Sequence, residues 1–336
     1  MIPEEKAGAV TRGLSEAFGV TKFDDIHRMT RGLSTALVFR IVVGGNPYLL
    51  RIITRDDAMN DPTRQFACMK AACEAGLAPR VRYASIEDRI SITDFVEAAP
   101  FSPSEARVRM ADTLRVLHAL PPFPRPTYTD VLDGFVKRFQ AANLFPKAEM
   151  EEVFARYGQV SSIYPRHDSE VSCHNDLKPE NVLFDGQRVW LVDWEAAFLN
   201  DRYFDLAVVA NFVVTDEATE RSFLERYFGA APDEYRLARF FLMRQTMHMY
   251  YAAVFLMLGL AGRPLDLSEK VPGFRDLHGQ IWSGEISLAE KEMRIVYGRV
   301  HWEQLLQNLG QKRLEEALRI VRERHTDSTG GAERRM

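Results

Sequence analysis

The segment CHNDLKPENVLFDGQRVWLVDWEAAFLNDRYFD, residues 173–205, sets chemically useful side chains at fixed spacing. His174, Asp176 and Asn181 form H-x-D-x-x-x-x-N, with Lys178 inside the loop and Asp193 two short apolar runs later. The pattern suits phosphoryl transfer to a hydroxyl. Asp176 can accept the proton of an attacking hydroxyl and orient it in line with a γ-phosphate. Asn181 offers an amide oxygen and Asp193 a carboxylate, both hard oxygen ligands suited to Mg²⁺.

Such residues need a scaffold that returns the second carboxylate to the first. Residues 182–184 and 189–192 read as two short buried strands around a turn at 185–187. Asn181 then lies just before one strand and Asp193 just after the other. Any one of these residues could be an ordinary cap or turn. All the spacings together argue against that.

His174-Asn175-Asp176, Asp193-Trp194-Glu195 and Phe204-Asp205-Leu206-Ala207 resemble the choline/ethanolamine kinase and aminoglycoside phosphotransferase superfamily. The DWE triplet and the Pro-Glu-Asn of the loop lean toward the choline-kinase branch. The resemblance implies an α+β, bilobal, protein-kinase-like fold, with a small N-terminal antiparallel sheet lobe and a larger, mainly helical C-terminal lobe. It implies ATP and Mg²⁺ as cofactors and a catalytic set of Asp176, His174 and Lys178. Metal ligands would be Asn181, Asp193 and Glu195, and Asp205 would hold the catalytic loop through hydrogen bonds.

Upstream, residues 4–18 read as a helix closed by Gly19. Strands at 36–43 and 48–53 flank Gly44-Gly45-Asn46-Pro47, a hairpin signal. Before them, Gly32, Ser34 and Thr35 could fold over nucleotide phosphates and donate backbone N–H groups, although one glycine and two hydroxyls open many ordinary hairpins. Arg51 sits where the kinase fold carries its phosphate-binding lysine, and its fork can clamp phosphate oxygens bidentately. In a helix over residues 62–74, Gln65 occupies the place where the family has a glutamate to pair with that cation. Gln65 can hydrogen-bond Arg51 but cannot neutralise it. Strands near 81–83 and 90–96 complete the sheet. By resemblance, Phe95, Val96 and Glu97 bring the chain to adenine at the hinge.

The expected division is a nucleotide-binding lobe at 1–96, a hinge at 97–100, a catalytic and acceptor-binding lobe at 101–325 and a disordered tail at 326–336. Helices are expected at 102–120, 129–143, 147–163, 206–214, 216–228, 233–260 and across 286–324. The acceptor wall is expected to include Trp194, Tyr250, Tyr251 and Trp282, because aromatic faces attract a quaternary ammonium. A Met/aromatic stripe at helical spacing is also the ordinary signature of core, and the choline-kinase branch would show tryptophans where this helix has none.

With 336 residues, 46% hydrophobic and 27% charged, the chain has the make-up of a soluble enzyme large enough for two lobes. A net charge of −4 gives no broad basic field, so nucleic acid is not an expected partner. The acidic N-terminus lacks an apolar leader, and the apolar run at 249–261 is too short to span a bilayer, so no membrane association and a cytoplasmic location are expected. Three cysteines without metal-ligand spacing read as buried thiols. The C-terminal helices fit intramolecular packing or a homodimer surface equally well.

The expected partners are ATP and a small hydroxylated acceptor, first an amino alcohol such as choline or ethanolamine. The alternatives are an aminoglycoside or other hydroxylated metabolite, with Glu217, Glu220, Asp233 and Glu234 as candidate acids, and a nucleotide-binding pseudokinase acting as an interaction module.

Overall fold

A computed structural model of the chain describes residues 2–29, 36–126 and 131–333. Gly32, Ser34 and Thr35 of the expected nucleotide loop lie outside the described residues. The architecture is mixed, an N-terminal antiparallel sheet followed by a larger helical part. Two compact units are present: Met1–Glu105, Thr113–Tyr128 and Val171–Asn200 form one, and Ala106–Asp112, Thr129–Glu170 and Asp201–Met336 the other. This partition departs from the linear division at residues 96 and 101, because the catalytic segment clusters with the sheet.

The first unit opens with α1 (Glu4–Phe18), closed by Gly19 in the left-handed conformation. Strands β1 (Asp25–Met29), β2 (Leu37–Val43), β3 (Asn46–Ile52), β4 (Val81–Ser85) and β5 (Ile90–Asp94) form an antiparallel sheet in the order β1-β2-β3-β5-β4. Alternation decides its faces. Phe39, Ile41 and Val43 of β2, Leu50 and Ile52 of β3 and Ile90 and Ile92 of β5 share one core with Ala9, Val10 and Leu14 of α1. Arg51 falls between Leu50 and Ile52, so the same periodicity turns it to the face away from α1. The β2–β3 turn is tighter than the expected four residues. Asn46 already pairs with Val43, leaving Gly44 and Gly45 as the two central positions, with φ of 59° and 76°. Positive φ at both is the hairpin geometry that matches strand twist, and glycine adopts it without strain.

Helix α2 (Pro62–Glu74) begins at Asp61, whose side chain accepts from the Thr63 N–H. Helix α3 (Pro103–Leu117) begins at Ser102, capping through the Glu105 N–H. The short strands β6 (Glu170–Cys173) and β9 (Phe198–Asp201) pair with each other, as do β7 (Val182–Phe184) and β8 (Val189–Leu191). The sequence pattern did not predict β6 and β9, which are too short to show a period.

The second unit holds α4 (Val131–Ala142), α5 (Lys147–Ile163), α6 (Arg202–Val213), α7 (Glu217–Phe228), α8 (Glu234–Leu260), α9 (Phe274–Ser283), α10 (Lys291–Leu309) and α11 (Lys312–Glu333). The helical region expected across 286–324 is two helices, broken at Gly310-Gln311. The backbone of α11 runs to Glu333. No proline interrupts that stretch, so backbone hydrogen bonding can continue through it. Among the described residues no helix is long and apolar enough to cross a membrane.

Two sets of buried charges in this unit are paired. Arg239 and Asp201, each 2% exposed, lie 2.7 Å apart, and the Tyr164 hydroxyl donates to the same carboxylate. Glu220 is buried against Arg313 and, at 3.6 Å, Arg244.

Three histidines are fully enclosed as well. His248 Nδ1 lies 2.9 Å from His301 Nδ1, and His278 Nδ1 donates to the Phe274 carbonyl at 2.7 Å. Their Nε2 atoms are buried without hydrogen-bond partners. Burial, reinforced by the nearby charges of Arg244 and Arg275, pulls His278 from 6.5 down to about 3 and lowers His248 and His301 as well. The folded chain therefore refuses protons that the unfolded chain accepts below 6.5. Stability from this source is complete above that pH and lost as pH falls toward 3, by up to ~1.4 kcal/mol per pH unit for each histidine. Urea midpoints should drop between pH 7.5 and pH 5.5, and His278→Gln should flatten that dependence by about a third. Equal slopes in the two proteins would refute the assignment.

Candidate active site

The catalytic loop follows β6. Its geometry is set by one histidine and one left-handed residue. His174 is fully buried; its Nε2–H donates to the Val192 carbonyl at 2.9 Å, while its Nδ1 accepts the Asp176 N–H at 3.3 Å. The ring also packs on Trp194, with centroids 4.7 Å apart. His174 is therefore a positioning residue rather than a member of the reacting set, because both ring nitrogens are spent on backbone.

Asn175, passed over in the sequence, reverses the chain. Its φ is 64°, a region asparagine tolerates better than most side chains. Its amide donates to the Ala196 carbonyl at 3.0 Å and its oxygen accepts from Asn200 at 2.7 Å. The signal was available: an asparagine, able to turn left-handed and to hydrogen-bond through both ends of its amide, stands between two positions that must face different ways.

Asp176 is held by its neighbours. Lys178 Nζ donates to Oδ2 at 2.7 Å, and Asn181 Nδ2 donates to the same oxygen and to the Asp176 carbonyl, both at 2.8 Å. Burial works against the charge on Lys178, but Asp176 and Asp193 outweigh it and the ammonium pKa is raised. The lysine therefore stays cationic. With Oδ2 committed to two donors, Oδ1 is the atom of Asp176 able to receive a hydroxyl proton.

The β7–β8 hairpin then returns the chain. Asp185 closes the turn by accepting the N–H groups of Gln187 and Arg188, each at 2.8 Å, and the Trp190 indole at 2.7 Å. The Val192 N–H donates to the Asn181 carbonyl at 3.0 Å, so Asn181 and Asp193 sit at adjoining ends of the hairpin. Asp193 has φ 66° and ψ 70°. An aspartate in this region carries backbone strain, which persists where the surroundings over-determine it. Asp193 Oδ1 is buried without a hydrogen bond, although Arg51 Nη1 lies 2.8 Å away as an ion-pair partner. Arg51 Nη2 meets Glu195 Oε2 at 2.5 Å. An amide oxygen and two carboxylates, one of them with a buried oxygen that no N–H satisfies, form a donor set that fits a divalent hard cation.

Gln65 does not take the expected part. It is 3% exposed and its Nε2 has no partner, while Arg51 is placed on Asp193 and Glu195. Its neighbour Arg64 is the residue that the sequence reading missed. Arg64 Nη1 donates to the Ala197 carbonyl at 2.7 Å, tying α2 to the loop that carries Glu195. Trp194 is also withdrawn from the acceptor wall: it is 5% exposed, and its indole N–H donates to the Leu191 carbonyl at 3.2 Å.

Phe95, Val96 and Glu97 leave β5 as irregular chain. Arg40 stacks over Phe95 at 5.3 Å and lies 3.7 Å from the Glu97 carboxylate. Ala99 N–H donates to the Phe184 carbonyl at 2.6 Å, binding this stretch to the catalytic hairpin. In the second unit Asp205 is fully buried in the first turn of α6. Tyr250 and Tyr251 of α8 are half-buried and 5.7 Å apart, and Trp282 of α9 lies 6.0 Å from Phe212.

The fold and the loop together define a class, the ATP-dependent phosphotransferases of kinase-like fold. The chain belongs to the phosphotransferase enzyme family, whose family model matches residues 25–241. The fold is similar to that of a choline/ethanolamine kinase family protein from Mesorhizobium loti, with a TM-score of 0.66 and 19% identity over 94% of this chain and 99% of that one. Protein LicA of Haemophilus influenzae is 40% identical over 55 residues, 16% of this chain and 21% of LicA. An aminoglycoside 3'-phosphotransferase of Streptomyces fradiae is 28% identical over 151 residues, 40% of this chain and 56% of that enzyme. The two sequence relatives are thus matched over only part of their own lengths.

The left-handed turn makes a sharp test. Asn175→Val places a β-branched side chain at positive φ and removes the bonds to Ala196 and Asn200. It should destabilise the chain by about 2–4 kcal/mol, whereas Asn175→Gly keeps the backbone and should cost less. Chemical denaturation of both variants measures this, and equal losses would show that backbone conformation is not the cause.

Proposed function

We propose that this chain transfers the γ-phosphoryl group of ATP to the hydroxyl of a small amino alcohol such as choline or ethanolamine. The observation that carries the chemistry is the Asp176 carboxylate, fixed through Oδ2 by Lys178 and Asn181 with Oδ1 available to a hydroxyl. Such an arrangement orients the acceptor and takes up its proton as the bond to phosphorus forms. The Lys178 ammonium, kept charged beside Asp176, can also meet a phosphoryl oxygen. Asn181, Asp193 and Glu195 would hold magnesium. Bound there, the ion supplies neutralisation of the charge on the phosphates. Arg51 is a cation on the sheet that can grip phosphate oxygens bidentately. Positioning and electrostatics of this kind supply most of phosphoryl-transfer catalysis.

The amino-alcohol reading draws on the structural likeness to a choline/ethanolamine kinase family protein and on the half-buried tyrosine pair of α8. A second reading, an aminoglycoside acceptor, draws on the alignment with the Streptomyces enzyme. Two of the four acids considered for it are engaged elsewhere. Glu220 is buried against Arg313 and Arg244, and Asp233 caps α8 through the Arg236 N–H.

An ADP-release assay with Mg·ATP and a panel of choline, ethanolamine, aminoglycosides and simple sugars tests the acceptor. Stimulation by choline or ethanolamine supports the first reading, and stimulation by aminoglycosides alone replaces it with the second. Asp176→Asn should lower turnover at least ~10²-fold while leaving ATP affinity within about twofold. Turnover retained in that variant would remove Asp176 from the mechanism.

A further inference from the structure

We infer that Arg51 is a counter-ion switch that makes metal binding and nucleotide binding depend on each other. The inference rests on the proposed metal site and goes beyond it. Arg51 lies 2.8 Å from Asp193 and 2.5 Å from Glu195, so one guanidinium bridges both carboxylates of the donor set. The three side chains are 13%, 14% and 26% exposed, in the order Arg51, Asp193, Glu195, so water screens them little. A cation arriving at Asp193 and Glu195 therefore meets a positive charge already on its ligands. Arginine cannot shed that charge by deprotonation, so it must move to another anion.

Three details make the exchange workable. The contact with Asp193 Oδ1 is an ion pair without hydrogen-bond alignment, so leaving it breaks no directional bond at that oxygen. The carboxylate itself stays in place, because its left-handed backbone is locked between the β7–β8 hairpin and the short turn at Trp194–Ala196. On α2, Gln65 is neutral, and the anchoring of that helix to the Ala197 carbonyl runs through Arg64. The acids that the structure places on Arg51 are thus the ones a metal would use. Phosphate oxygens offer the guanidinium a second anion of matching bidentate geometry. Nucleotide draws Arg51 off the carboxylates and so raises metal affinity. By linkage, metal raises nucleotide affinity by the same factor.

Electron paramagnetic resonance of Mn²⁺ measures this without turnover. In the absence of nucleotide, Arg51→Met should bind Mn²⁺ about fivefold or more tighter than the native chain. Arg51→Lys, which keeps the charge but lacks the bidentate fork, should fall between them, and it keeps the test in hand if the methionine variant fails to fold. ADP should tighten Mn²⁺ binding more in the native chain than in either variant. If Asp193→Asn abolishes Mn²⁺ binding but neither Arg51 variant binds more tightly than the native chain, the switch is overturned and the metal site stands. If Asp193→Asn binds Mn²⁺ as well as the native chain does, the metal site is misassigned and the switch falls with it.

Discussion

The hydrogen bond from His174 to the Val192 carbonyl is the constraint on which the site depends. It joins the start of the catalytic loop to the end of the hairpin that follows, so Asp176 and Asp193 cannot drift apart independently. The ring can do this because it is fully enclosed, with a backbone donor on one nitrogen and a backbone acceptor on the other. Two left-handed residues, Asn175 and Asp193, stand at the two ends of the same closure. Strain there is the cost of turning two short chains toward one point, and the enclosing hydrogen bonds hold it.

Charge is arranged differently in the two units. In the first, Arg51 pairs with Asp193 and Glu195, and Lys178 with Asp176, through side chains that are 13% to 27% exposed. In the second, Arg239 and Asp201 are sealed, with further hydrogen bonds to Tyr164, Ser169 and the Pro165 carbonyl. A sealed pair gains little net stability over apolar packing, but losing one partner leaves a stranded charge. Such pairs fix one arrangement of helices.

Much of this was legible in the sequence. Short apolar runs gave the hairpin after Asn181, the spacing of His174, Asp176, Asn181 and Asp193 gave the loop, and the helices expected at 62–74, 102–120, 216–228 and 233–260 begin close to where Asp61, Ser102, Asp216 and Asp233 cap α2, α3, α7 and α8. What stayed hidden depends on contacts between distant segments. Gln65 was singled out by position, yet its neighbour Arg64 makes the bond across to Ala197, a choice set by which face of α2 is buried. Helix α9 went unread because Gly273 precedes it without a capping side chain. Trp194 looked like an acceptor ring by type, and its burial against His174 and Phe123 could be learned only from packing.

The chemistry of the two acceptor classes bears on the aromatic group of the second unit. A quaternary ammonium has no N–H to donate and gains most from ring faces, whereas a polyamine needs carboxylates. On α8, Tyr251 packs among Phe255, Tyr297 and His301, and the histidine beside it is held neutral by burial. A neutral imidazole does not repel a cation brought to the neighbouring rings, as an imidazolium would. The face of Phe135 is already met by Arg138 at 4.5 Å, while Tyr250 and Tyr251 meet other rings. Arg244, whose charge helps hold that histidine neutral, already brings a cation near this group, so its rings and its charge pull in opposite directions for an organic cation.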